Sequence, residues 1–392
     1  MTLKALLKKS RFTYKLASAV RSAPYPIYAG WMRLCHALCG VEGNTVYFSS
    51  FNGALCDDNP RAIAEALHAI RPSAKLVFRV NRKGLSQPDV PDYITRVYSF
   101  SPKGIKAMAT AKVIVKNANA LPWMRIFPDQ KYVQTWHGDR GFKRIGLDLW
   151  PDRKDFKRES GWLDLCVSGS DFGSRVYRSA FDYKGEIMQQ GYPRNDVLVH
   201  PPEGLAETVR RRLGIPDGAR VLLYAPTFRA ASSGAAMKAT LSLERVRATL
   251  EKATGEQWLC LTRSHELNLG VTSDARRDVT DWRDVSALLT ACDMVITDYS
   301  SIGGDFMLLG RPVVYYQPDV GAYHRERDFY FDMEKSPLIV AHSEGELMDI
   351  LSRPIDGGAN CRACLAFFGA TETGHAAKSV AEWIAKALAE TD

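Results

Sequence analysis

The run QTWHGDRGFKRIG, Gln134 to Gly146, sets one imidazole at the head of a glycine-punctuated basic loop. His137 stands between Trp136 and Gly138, and Arg140, Lys143 and Arg144 follow closely. Histidine is the side chain whose ordinary pKa lies nearest neutrality, so it can take a proton from an alcohol. Cations beside it would hold an anion. The competing reading is a surface turn with a structural histidine. Three further stretches carry anion-seeking groups. APTFR supplies a hydroxyl and a guanidinium, Thr227 and Arg229. RSHE sets Arg263 and His265 two apart, on one side of an extended chain. ITDYSSIGGDFMLLG places Ser300 and Ser301 before a helix-like run that ends at Gly310. A helix beginning at a serine pair offers free N–H groups, two hydroxyls and the positive end of a dipole, although plain N-capping uses the same residues.

These residues need elements to position them. TVYFSSF, KLVFRV, KVIVKN, KYVQTW, DLCVSGS and EIMQQG read as strands alternating with helices. NPRAIAEALHAI is a helix with Asn59 as its expected N-cap and Pro60 at its first position. The rhythm restarts with RVLLYAPTFR, QWLCLTRSH, DMVITDYSS and PVVYYQPD. Short apolar strands alternating with helices predict α/β architecture with two doubly wound parallel sheets. The expected boundary lies near Pro201 to Gly204. It gives a membrane-surface arm over 1–40, an N-terminal acceptor domain over 41–202 and a C-terminal donor domain over 203–392, with the last helix able to pack back on the N-terminal domain. Ligands in such sheets bind beyond the C-terminal strand ends. His137, Thr227, Arg263, Ser300 and Ser301 all fall just after apolar runs.

A chain of 392 residues suits two domains. The formal charge of +8 favours anionic partners without choosing among them. No window approaches the ~20 apolar residues that span a bilayer. No secretory signal is read, and the eight cysteines are scattered, which points to a reducing compartment. CRAC, Cys361 to Cys364, is a lone pair where zinc needs four ligands. No Asp-x-Asp, P-loop or Gly-x-Gly-x-x-Gly fingerprint occurs. That leaves a phosphorylated donor handled by arginines and helix ends rather than by a metal. The N-terminal arm mixes Lys4, Lys8, Lys9, Arg11, Lys15, Arg21 and Arg33 with leucines and aromatics, and has no acid before Glu42. Such a segment lies in a membrane interface or packs with a solvated basic face.

Taken in order, SSFNGALCDDNPRAIAEAL, QTWHGDRGFKRIG, GYPRNDVL, LLYAPTFR, RSHE, DVSALLTACDMVITDYSSIGGDF and PVVYYQPD resemble the CDP-glycerol glycerophosphotransferase family of teichoic-acid primases and polymerases. The resemblance implies a GT-B-like pair of Rossmann-like domains around a cleft. It implies transfer of a polyol phosphate from CDP-glycerol or CDP-ribitol to a hydroxyl of a lipid-linked saccharide or polyol-phosphate acceptor, with release of CMP. In that scheme His137 and His265 are the catalytic residues, with His137 as the base. His265, Arg263, Ser300 and Ser301 hold the donor phosphates, with Thr227, Arg229, Asp305 and Arg327 completing the donor set. Arg140, Lys143 and Arg144 serve the acceptor. No cofactor, metal or nucleic acid is expected, and the enzyme should sit peripherally on the cytoplasmic face of an anionic cell membrane. The chain departs from the family in DRGFKRIG, in Gly303 and Gly304 before Asp305, in Asp328, and in KSPLIV. Two other readings remain: a glycosyltransferase or nucleotide-sugar epimerase on the same scaffold, and a non-catalytic binder of anionic polymer.

Overall fold

The computed structural model describes residues 22–227, 241–263, 276–321, 323 and 328–390. Helix α1 (Tyr25–Cys39) leads into a seven-stranded sheet of β1 (Glu42–Ser49), β2 (Lys75–Val80), β3 (Ile94–Tyr98), β4 (Ala111–Lys116), β5 (Lys131–Gln134), β6 (Leu165–Ser168) and β7 (Glu186–Gln189). The second sheet has six strands: β8 (Arg220–Ala225), β9 (Trp258–Thr262), β10 (Arg276–Asp278), β11 (Met294–Thr297), β12 (Val313–Tyr316) and β13 (Val340–Ala341). The orders are β3-β2-β1-β4-β5-β6-β7 and β10-β9-β8-β11-β12-β13, and the neighbouring strands pair in parallel. The central strands are apolar on both faces, as a sheet covered on both sides requires. Each sheet reverses its winding once, between β1 and β4 and between β8 and β11. Those crevices are where a doubly wound sheet takes ligands.

Helices cover both faces of the first sheet. Helix α2 (Asp58–Ile70) packs Ile63, Ala64 and Leu67 against Val46, Phe48 and Val113. Its N-cap is Asp57 rather than Asn59, because the chain turns at Asp58 in a left-handed conformation (φ 60°) and frees the Asn59 side chain for other work. Helix α3 (Pro102–Thr110) covers the other face, with Ile105 and Met108 beside Met32 and Cys35 of α1. The second sheet leads on to the short helix α4 (Ile302–Phe306). The last helix, α5 (Ala376–Ala389), crosses back: Val380, Ala381, Ile384 and Leu388 join the core of the first sheet. Strands β3, β10 and β13 go unread in the sequence. They are short edge or near-edge strands whose apolar signal is thin. Among the described residues, no helix is long and apolar enough to cross a membrane.

Candidate functional site

Strand β5 ends at Gln134, and the chain then bends through Trp136, which is held in the left-handed region at φ 55°. For a bulky residue this conformation costs about 1–3 kcal/mol, so its surroundings must fix it. The Trp136 N–H donates to Gln134 Oε1 at 3.0 Å, and its carbonyl accepts from Asn59 Nδ2 at 3.2 Å and Thr135 Oγ1 at 3.0 Å. That bend presents His137. The imidazole packs on Trp136 (ring centroids 4.3 Å) and against the edge of Phe51 (5.4 Å). Its Nδ1 lies 2.6 Å from the Asn117 carbonyl. A carbonyl only accepts, so Nδ1 carries the hydrogen and Nε2 keeps a lone pair for an incoming proton. Burial pushes the imidazole below its ordinary pKa, with the Asn117 carbonyl and Asp58 pulling the other way. Asn117 is itself fixed: its Nδ2 donates to Asp58 Oδ1 at 2.8 Å and its Oδ1 accepts from Phe51 N–H at 2.7 Å. The sequence pattern did not single out Asn117 or Asp58, although CDDNP and KVIVKN contain them.

The serine turn after β11 meets this loop. A Cβ added to Gly138 would lie 2.8 Å from Ser301 Oγ, so only glycine lets the histidine loop seat on the other half. Ser301 makes no capping bond, and Ser300 Oγ accepts from Ile302 N–H at a long 3.4 Å. Helix α4 is a single turn that tightens into a 3₁₀ turn, Met307–Leu309, before Gly310. The hydroxyls and backbone N–H groups, rather than a long helix dipole, are what this turn can offer an anion. Asp298 in the same motif ties the two strand ends together: its Oδ1 accepts from the Thr227 N–H at 2.8 Å and from the Thr227 hydroxyl. Arg263, at the end of β9, donates through Nη1 to the carbonyls of Val279 (3.0 Å), Thr280 (3.1 Å) and Trp282 (2.5 Å). Burial lowers its pKa, and Asp57 from the other half is the foremost charge opposing that. Asp57 in turn is pushed up to about 7, by burial first and by Asp58 second. His265, Arg229 and Arg327 lie outside the described residues.

Two residues expected to touch substrate are engaged within the protein. The guanidinium of Arg140 is fully buried. Nε donates to the Gly304 carbonyl (3.0 Å), Nη1 to Glu372 (2.7 Å) and Nη2 to Asp305 (3.3 Å), with Asp139 3.5 Å away. Asp305 is engaged as well. Its oxygens take Arg140, Arg194 Nη2 (2.7 Å) and Asn195 Nδ2 (3.0 Å). Arg194 continues the network to Asp58 (2.7 Å) and to the His137 carbonyl (3.1 Å). The result is a buried clasp between the halves with the histidine loop inside it. It explains Gly304, where a Cβ would come 2.8 Å from Arg140 Cβ. Arg194, Asn195 and Glu372 escaped the functional reading, though GYPRND was visible as a motif. Lys143 and Arg144 are carried across to the C-terminal half. Lys143 bridges to Phe329 and lies 5.8 Å over the Tyr323 ring, and Arg144 pairs with Asp328 at 3.1 Å. Between the first glycine and these cations, Phe142 plugs into the C-terminal core against Tyr299, Tyr315 and Phe329.

Two Rossmann-like halves, with the histidine loop of one seated on the serine turn of the other, define a GT-B-like transferase architecture. Residues 31–386 match the family model for CDP-glycerol:poly(glycerophosphate) glycerophosphotransferase, and the chain belongs to that family of enzymes. It is 34% identical to a teichoic acid glycerol-phosphate transferase of Staphylococcus aureus, over 81% of this chain and 85% of that one. It is 32% identical to a teichoic acid poly(glycerol phosphate) polymerase of Bacillus subtilis, over 78% of this chain but only 43% of the longer relative. The structure of the wall teichoic acid polymerase TagF superposes with a TM-score of 0.81 at 26% identity, covering 96% of this chain and 98% of that one. A variant of that polymerase has been solved after a soak with CDPG. A UDP-N-acetylglucosamine 2-epimerase of Listeria monocytogenes, 14% identical with a TM-score of 0.54, shares the fold alone.

Proposed function

We propose that this chain transfers glycerol phosphate from CDP-glycerol to a hydroxyl of a polyol-phosphate or lipid-linked acceptor, releasing CMP. The observation that carries this reading is the seating of Gly138 against Ser301. It sets a neutral imidazole from one switch-point crevice beside an uncapped serine turn from the other. The acceptor oxygen attacks the distal phosphorus of the donor, and the phosphorus–oxygen bond to CMP breaks. The acceptor's proton passes to His137 Nε2. Charge on the departing CMP is met by Arg263 and the Ser300–Ser301 turn, with Thr227, Arg229, His265 and Arg327 completing the donor site. Lys143 and Arg144 neutralise phosphate at the rim of the cleft. Such transfer depends mainly on positioning and electrostatics.

We further propose that the enzyme works on the cytoplasmic face of a membrane. Helix α1 supports this: Ile27, Trp31, Leu34 and Leu38 are exposed at helical spacing, and Ile27 and Leu38 are 71% and 76% accessible. An exposed apolar stripe following a basic segment suits an anionic interface.

The test is CMP release from CDP-glycerol, with CDP-ribitol beside it, by wild type and His137→Ala. Loss of a general base lowers kcat by roughly 10²–10⁴, while calorimetric binding of CDP-glycerol persists. Because burial holds the imidazole below its ordinary value of 6.5, the acid limb of the rate profile lies below that value. Near-normal turnover by His137→Ala would make the histidine structural.

A further inference from the structure

The first sheet carries a row of polar side chains that the transfer chemistry above does not use. Phe48 pairs with Phe78, and Ser49 pairs with Lys116. The next rung therefore sets Ser49 between Arg79 on β2 and Lys116 on β4, at the switch point of the sheet. By the two-residue alternation of strands, these three share the face of Tyr47, Val77 and Ile114. All three are buried: Ser49 0%, Arg79 2% and Lys116 1% accessible. Yet their bonding is incomplete. Among the described residues Arg79 Nε and Ser49 Oγ have no hydrogen-bond partner. Lys116 Nζ meets only neutral atoms, Asn52 Oδ1 at 2.9 Å, the Asn119 carbonyl at 3.1 Å and Met124 Sδ at 3.8 Å. Among those residues neither cation touches a carboxylate: Glu159 acts on Lys116 only from beyond ion-pair range, and the guanidinium of Arg79 lies 5.5 Å from the centre of the Phe100 ring. Burial drives Lys116 down to about 7. Two adjacent buried cations with no carboxylate in direct contact are costly. Buried polar groups left unmet call for a missing partner.

The surroundings say where that partner comes from. Lys116 is followed by Asn117, whose carbonyl holds His137. Asn52, which bonds Lys116, follows Phe51, which touches the His137 ring; both residues are held left-handed at φ 56° and 45°. On the other side, Phe100 meets Tyr28 of α1 at 5.6 Å, and α1 bears the exposed apolar stripe. We propose that Arg79 and Lys116 form a phosphate site for the acceptor, which receives a phosphate of a polyol-phosphate or lipid-linked chain while the chain's hydroxyl reaches His137. The proposal rests on the transferase reading and adds to it the group that anchors the acceptor. It replaces Arg140 in that role.

The experiment uses the full chain and the variants Arg79→Met and Lys116→Met, with glycerol 3-phosphate as a soluble probe. Wild type binds the probe by calorimetry and melts higher in its presence. Each variant weakens that binding by about tenfold or more, the loss of one charge-assisted hydrogen bond. Because each substitution removes an unpaired buried charge, the melting temperature without the probe does not fall. In turnover the acceptor KM rises and the donor KM holds. Unaltered binding of glycerol 3-phosphate in both variants overturns the site. So does a large drop in the probe-free melting temperature when wild type ignores the probe, since the cations are then structural. Vesicles of phosphatidylglycerol and of phosphatidylcholine separate the sources: if wild type binds only the anionic vesicles and the variants lose that, the phosphate is a bilayer headgroup and the acceptor assignment falls. Binding and melting need no turnover, so failure to release CMP from CDP-glycerol would sink the transferase reading while these two measurements still judge the site.

Discussion

Asp305 decides between a donor ligand and a clasp. The carboxylate is 6% accessible and accepts from Arg140 at 3.3 Å, Arg194 at 2.7 Å and Asn195 at 3.0 Å. Asp305→Ala removes the one anion that these two buried guanidinium groups share. Breaking a buried pair by deleting one partner costs about 3–5 kcal/mol. The lower end applies here, because Arg140 keeps Glu372 at 2.7 Å and Arg194 keeps Asp58 at 2.7 Å. At about 2–4 °C per kcal/mol for domains of this size, 3 kcal/mol corresponds to a fall of roughly 6–12 °C in melting temperature. Asp305→Asn retains acceptor and shape and falls less. Scanning calorimetry of both variants reads the stability, and titration with CDP-glycerol below the melt reads the donor site. The clasp reading expects a destabilised protein that still binds donor. An Asp305→Ala protein that melts with wild type but has lost donor affinity would refute it and restore the ligand role.

Ser301 makes no capping bond, so replacing Ser300 and Ser301 by alanine raises the apparent KM for CDP-glycerol and leaves stability and acceptor dependence nearly unchanged; wild-type donor kinetics would return both serines to local structure. Trp31→Gln with Leu34→Gln, or deletion of Met1 to Arg21, moves the protein from the anionic-vesicle pellet to the supernatant, and full retention in the pellet by both would refute membrane docking through this end of the chain. Asp57 titrates near 7 in the fold against an ordinary 3.8, because burial and Asp58 disfavour its charge. A raised carboxyl pKa makes the ionised form costly, so the penalty is full above about 7 and absent below 3.8. Asp57→Asn therefore raises the melting temperature at alkaline pH and not at acid pH, and a pH-independent difference would contradict the burial that is invoked.

How much of this was legible in the sequence depends on where each residue's reason lies. Strands such as KLVFRV and MVIT announce themselves because both their faces are buried, and the residues just beyond them inherit a position at the crevice. His137, Thr227, Arg263, Ser300 and Ser301 are candidates on that ground. Charge was the weaker guide. A run of cations in DRGFKRIG reads as an anion site when the opposing carboxylates are far away in sequence. The partners of Arg140 are Asp305, 165 residues on, and Glu372, 232 residues on. Only the fold brings them together, and it turns a supposed ligand into a clasp. The reverse happened to Arg79 and Lys116. Each sits inside an apolar strand, where a lone cation reads as an edge or a snorkelling side chain. Register alone puts them side by side, and only the folded contacts show that neither touches a carboxylate among the described residues. Local pattern locates the crevices, whereas deciding which cation in a crevice is already neutralised needs contacts across the whole chain. On that measure the buried cations of the N-terminal half that touch no carboxylate lie on β2 and β4, whereas Arg140 of the basic loop is spent in locking the two halves around His137.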